Sequence, residues 1–146
     1  MSYFVRMFAA SLLCATIISS TLNAENDPIM ADIASVQAVI SAQIEAFKRD
    51  DGEVAFSFAA PDIRKMFATP DIFMAMVRQQ YAPVYRPRYI EYLEPFVTEK
   101  PVFQPLILSG ENGITVLARY VVERQADGDW RITSVTLSPA PEQAPL

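Results

Sequence analysis

The chain has 146 residues, enough for one domain with a buried core and too few for a second. Hydrophobic residues make up 51% of it with only four glycines, a composition that argues against a disordered or low-complexity protein. Seventeen acids against twelve bases give a net charge of −5, and the bases gather in nothing larger than pairs such as Arg86-Pro87-Arg88, so the balance argues against nucleic acid as a partner.

Residues 1–24 read as a cleavable signal peptide. Arg6 supplies the positive charge, Met7 to Ile18 the apolar run, and Ser19 to Ala24 the small and polar stretch, with cleavage expected after Ala24. A run of about 12 apolar residues is well short of the roughly 20 that span a bilayer. The expectation is therefore a periplasmic or secreted protein with no stable membrane insertion after cleavage. The one cysteine, Cys14, lies in this leader behind Leu13, where lipid attachment would want a small residue. Eleven of the bases and all seventeen acids lie beyond residue 24, a net charge of −6 on a thiol-free domain that must be stable without disulfides.

Asp27-Pro28 is a helix start: the carboxylate caps free N–H groups and the proline sits where its missing N–H costs nothing. Ile33, Val36, Ile40, Ile44 and Phe47 then recur at three- and four-residue steps, predicting one buried helical face that runs to about Arg49. Asp50-Asp51-Gly52 ends that helix. A shorter helical stretch follows from Glu53 to Ala60, stopped by Pro61, with another turn over Asp62 to Phe67. Thr69-Pro70 repeats the capping signal, and Ile72, Phe73, Met76, Val77 and Tyr81 form the inward side of the next helix. Pro83 and Pro87 close the helical half.

Four β-branched and aromatic runs follow, Arg88 to Phe96, Val102 to Leu108, Ile114 to Arg124 and Trp130 to Leu137. Glu111-Asn112-Gly113 and Asp127-Gly128-Asp129 are the expected hairpin turns. Pro101 and Pro105 cannot donate to a ladder, which predicts an edge position or a neighbouring bulge for the second strand. On the third, Val116, Ala118, Tyr120 and Val122 share the face expected to meet the helices. The fold class is α+β: N-terminal helices on one face of a curved, mainly antiparallel four-stranded sheet, with a hollow between them. The domain spans 25–138, and the Pro-rich tail 139–146 is expected to fray.

Several segments carry a family resemblance. Val39 to Phe47, Ala55 to Pro61, Met76-Val77-Arg78, Tyr85-Arg86-Pro87 and Asp127 to Ile132 resemble, in order, an uncharacterised bacterial family known as domain of unknown function 4864. The matches span about residues 36 to 137. The resemblance implies a cone-shaped fold like that of SnoaL and nuclear transport factor 2. It implies little about function, because that fold hosts isomerases, dehydratases, cyclases and binding modules alike.

No histidine occurs in the chain, which removes Ser-His-Asp and Cys-His triads, His-Asp dyads and the common zinc sites. The acidic pairs Asp50/Asp51 and Asp127/Asp129 sit in turns without calcium-loop spacing, so neither a metal nor any other cofactor is expected. An isomerase without histidine needs a carboxylate base in an apolar cavity and a tyrosine opposite. Tyr92, Tyr120 and Trp130 are candidates to line such a cavity, and Glu94 is the available acid, though its place before Pro95 suits a solvated edge charge better. Gln43 leans toward the buried stripe of the first helix, so its amide either bonds the sheet or a helix end, or meets a ligand. Tyr81, Tyr85, Arg88 and Arg78 gather near the helix-to-strand crossing, where they form either the rim of a ligand mouth or plugs at the end of the core.

The sequence thus points to a non-catalytic small-ligand-binding or protein-interaction module. The alternative is a histidine-independent isomerase or cyclase acting on a small apolar substrate. A homodimer paired through the outer sheet face is the third reading, favoured if Leu117, Val121 and Val135 make that face apolar.

Overall fold

The computed structural model describes residues 27–141. The expected leader and the end of the tail lie outside them. Five helices come first: α1 Pro28–Lys48, α2 Gly52–Ser57, α3 Pro61–Phe67, α4 Pro70–Gln80 and α5 Ala82–Tyr85. Five strands follow: β1 Pro87–Tyr92, β2 Phe96–Val97, β3 Pro101–Gly110, β4 Thr115–Arg124 and β5 Trp130–Pro139. The strands form one open antiparallel sheet in the order β1-β3-β4-β5, with β2 beside β3. The chain is an α+β domain with helices on one face of the sheet.

The helix starts are set by local chemistry. Asp27 accepts from the Ile29 N–H at 2.9 Å, and Thr69 accepts from the Ile72 N–H at 3.3 Å, each ahead of a proline at the first helical position. Tertiary contact then holds the helices. Val36, Ile40, Ile44 and Phe47 of α1 are buried, each contributing roughly 2 kcal/mol by leaving water. By length and composition α1 is the one helix among the described residues that could cross a membrane, and an apolar helix near the N-terminus is compatible with a signal sequence. Here its buried stripe belongs to the core. At Gly52 a Cβ would stand 2.9 Å from Met74 Cγ, so the close approach of α2 to α4 requires glycine.

The sheet differs from expectation in two ways. The run Arg88 to Phe96 is not one strand: β1 ends at Tyr92 and β2 resumes at Phe96, both paired with β3, giving five strands in place of four. Leu93, Glu94 and Pro95 stand opposite only Gln104 and Pro105, an extra residue that bends the chain out of the ladder. The second predicted strand, β3, is therefore interior, and of the two expectations for it the neighbouring irregularity is the one met. Its Pro105 is tolerated because the carbonyl accepts from Leu93 N at 3.0 Å, so the donorless nitrogen faces that same irregularity. Finally, Val121 pairs with Ser134 and Val122 with Ile132, leaving Thr133 as an extra residue in β5. Beyond it the parity inverts, and Val135 lies opposite Tyr120 on the inner face, not on the outer face with Leu117 and Val121.

The turns follow the sequence. Gly113 and Gly128 adopt φ of 77° and 91° in the two hairpins. The connection from α2 to α3 locks onto β5, where Ala60 N donates to Ile132 O at 2.8 Å and Ile132 N to Phe58 O at 2.9 Å.

Candidate functional site

A cavity of about 360 Å³ opens between the helices and the inner face of β4 and β5. Its wall is assembled from Phe47 of α1, Phe67 of α3, Phe73 and Val77 of α4, and Ile132 and Val135 of the sheet. Phe73 is central to this wall, with its ring centroid 6.0 Å from Phe47 and 5.7 Å from Phe67. Among the described residues, no Asp, Glu, Lys or Arg lines the space. The polar side chains along it are Gln43, Gln80, Tyr81, Tyr120 and Ser134.

Tyr120 is the most constrained of these. It projects from the middle of β4, is fully buried, and its hydroxyl has no hydrogen-bond partner among the described residues. Burial pushes its ionisation well above the usual tyrosine range, and the neighbouring Tyr92 and Tyr81 push the same way, so it remains an O–H group at any ordinary pH. Gln43 is buried beside the same space. Its Nε2 donates to Ala55 O at 3.0 Å, which fixes the amide orientation, because a carbonyl can only accept. No protein donor meets its Oε1 among the described residues. Tyr81 is anchored, its hydroxyl donating to Val135 O at 3.2 Å.

The outer rim is α3. None of its residues is buried, and Ile63, Met66 and Phe67 lean on the cavity. Ala68 follows at φ 63° and ψ −41°, with Thr69 N donating to Phe67 O at 2.7 Å. That is a tight three-residue turn in a conformation strained for a residue with a Cβ.

The other sequence candidates lie elsewhere. Arg78 and Tyr85 meet not at the cavity mouth but at an ion cluster around Asp50, which itself sits at φ 56° after α1. Arg78 and Arg86 reach the Asp50 carboxylate at 3.1 and 2.8 Å, the Tyr85 hydroxyl donates to it, and both guanidiniums stand over the Tyr85 ring. The Tyr85 bond first, then the Arg78 bond and the Arg86 charge, hold the Asp50 carboxyl below the ordinary aspartate range. This cluster ties the end of α1 to α4 and α5. Asp50 and Arg86 were missed as partners because nothing local in Asp50-Asp51-Gly52 announces a contact more than thirty residues away.

Arg88 is exposed and stands in the register shift of β1 between Pro87 and Tyr89. Tyr92 donates to Gln37 O at 3.4 Å and packs on the core away from the cavity. Trp130 is a core residue with the Arg124 guanidinium 4.8 Å above its ring, and it borders a separate shallow groove with Val39 and Phe58. Glu94 is exposed in the break between β1 and β2. Among the described residues, no group of three or more acids is placed to hold a metal ion.

The profile of a family described as Domain of unknown function (DUF4864) matches residues 30–145. No curated protein and no solved structure matches the chain. With four-fifths of its length inside that match, the chain belongs to the family Domain of unknown function (DUF4864).

Proposed function

We propose that this protein is an exported, non-catalytic binding module of the cone-shaped SnoaL-like kind, which holds a small ligand in the hollow between helices and sheet. The observation that carries this reading is the cavity itself. Protein interiors pack closely, and an apolar space of about 360 Å³ left open by a domain this small is at the lower end of the range for ligand sites. Its apolar walls suit a mainly apolar occupant. The alternative, an isomerase or cyclase, requires a base beside the substrate, and among the described residues the lining supplies no carboxylate or amine for that role. Export rests on the sequence of residues 1–24.

One observation favours a partner at the outer sheet face. Phe96 and Phe103 are exposed there with ring centroids 6.0 Å apart, opposite the half-buried Val121 and on the same face as Leu117 further along β4, and a homodimer paired through this face would cover them. The inward turn of Val135 reduces that apolar surface, and Arg119 and Glu123 interrupt it.

Native mass spectrometry of the protein purified from the periplasm of an exporting host tests these readings together. The expected spectrum has a chain beginning after Ala24 and an added small mass that is lost on denaturation. A bare chain whose interior remains closed to small apolar probes would overturn the binding reading, and a dimer mass would support the sheet-paired partner.

A further inference from the structure

We infer that the occupant of the cavity is a neutral, mainly apolar molecule that offers a hydrogen-bond donor, an N–H or O–H, to the side-chain oxygen of Gln43. This deepens the binding reading above and rests on it.

Gln43 stands on the buried stripe of α1, is only 3% exposed, and lines the cavity. Its Nε2 is committed to Ala55 O at 3.0 Å, which leaves Oε1 as the free end of the amide. An amide oxygen can only accept. No donor meets it among the described residues, yet it is not sealed from solvent as the Tyr120 hydroxyl and Arg86 Nε are. A side chain this buried meets open space where it borders the cavity, so a donor reaches Oε1 from there. A buried acceptor without a donor is destabilising, and a ligand N–H or O–H relieves that cost on entry. Ethers, esters and ketones bring only acceptors, and a hydrocarbon brings neither group.

Charge on the ligand is restricted by the same wall. An ammonium would also donate to Gln43, but no carboxylate lines the space among the described residues, and burying the cation unpaired costs more than one hydrogen bond returns. A carboxylate or phosphate head would lack a counter-charge in the same way and would set an acceptor against an acceptor. The class that remains is an alcohol, a phenol, an amide or an N–H heterocycle. Phe47, Phe67, Phe73 and Val77 set its body, since their aromatic and branched surfaces suit a compact ring or branched skeleton.

Isothermal titration of the mature wild-type protein with indole and its isosteres benzofuran and indene tests this, because the three share one shape and only indole carries a donor. Once each affinity is corrected for the probe's own transfer from water to hydrocarbon, indole is expected to bind about tenfold more tightly than either, as one buried hydrogen bond implies. In Gln43→Met, checked for folding by its melting temperature, the corrected preference is expected to fall below about threefold. If that variant does not fold, the N–H proton of indole bound to the wild type decides, with an NMR resonance expected downfield of its position in hydrocarbon solvent. Equal corrected affinities, an unchanged preference in Gln43→Met, or an N–H resonance at the hydrocarbon position would overturn the inference while leaving the cavity a binding site. Failure of all three probes to bind would overturn the binding reading and this inference with it.

Discussion

Two facing positions on the inner side of the sheet, Gln104 of β3 and Tyr120 of β4, treat buried polar groups in opposite ways. Gln104, beside the break between β1 and β2, is fully buried and completely satisfied: its Oε1 accepts from Gln37 Nε2 at 3.0 Å, and its Nε2 donates to Leu93 O at 2.8 Å and Pro105 O at 2.9 Å. It thereby ties off the carbonyls exposed where the strand breaks. Tyr120, directly opposite it on β4, is equally buried, yet its hydroxyl, like Arg86 Nε elsewhere, meets no partner among the described residues. Two side chains that face each other on one sheet thus end in opposite states, one amide fully paired and one hydroxyl unpaired.

The contrast is most easily broken at the paired position. Gln104→Leu leaves Leu93 O and the Gln37 amide without this partner, while Pro105 O keeps its bond from Leu93 N, and is expected to destabilise the protein by about 2 kcal/mol, read as a lower urea midpoint. The two tyrosines sharpen it, because conservative removal of each hydroxyl should act with opposite sign. Tyr120→Phe removes an unsatisfied group and should stabilise the ligand-free protein by about 1 kcal/mol, whereas Tyr92→Phe loses the bond to Gln37 O and should destabilise it by less than about 1 kcal/mol. The same denaturation curves measure both.

A third position lies on the rim. Ala68→Gly releases a positive-φ strain next to α3 and should stabilise the fold by somewhat under 1 kcal/mol after the entropy that glycine adds to the unfolded chain. A loss of stability on this change would show that the Ala68 methyl is needed where it stands. The smallest effect is expected at Asp50, whose cluster is exposed. Its folded pKa is depressed, so its contribution is present above the ordinary value of 3.8 and lost as pH falls from there through the folded value. Asp50→Asn should remove that acid-side loss, flattening the urea midpoint against pH in this window, and should leave the cavity unaffected.

Much of the fold was legible because its signals are local. Asp27-Pro28 and Thr69-Pro70 marked helix starts, the α1 stripe marked its buried face, and Gly113 and Gly128 marked the hairpins. Alternation along β4 placed Tyr120 toward the helices, and Gln43 was legible as a polar residue on an apolar stripe. What escaped depends on partners distant in sequence or on one inserted residue. Thr133 inverts the parity of β5, which moved Val135 from the expected outer face into the cavity wall. The break at Leu93 to Pro95 turned one expected strand into two, with Gln104 as the buried amide that bonds the freed Leu93 carbonyl. Arg78 and Tyr85 were correctly associated with each other but not with Asp50, because a pair spanning 28 or 35 residues leaves no spacing to read.

The central claim is that helices and sheet leave an apolar cavity open to a small ligand, and a high-resolution crystal structure of protein purified from the periplasm tests it directly. The expected result is compact density in the cavity against Phe47, Phe73 and Val77. A cavity closed by Phe67, Phe73 and Met76 would contradict the account.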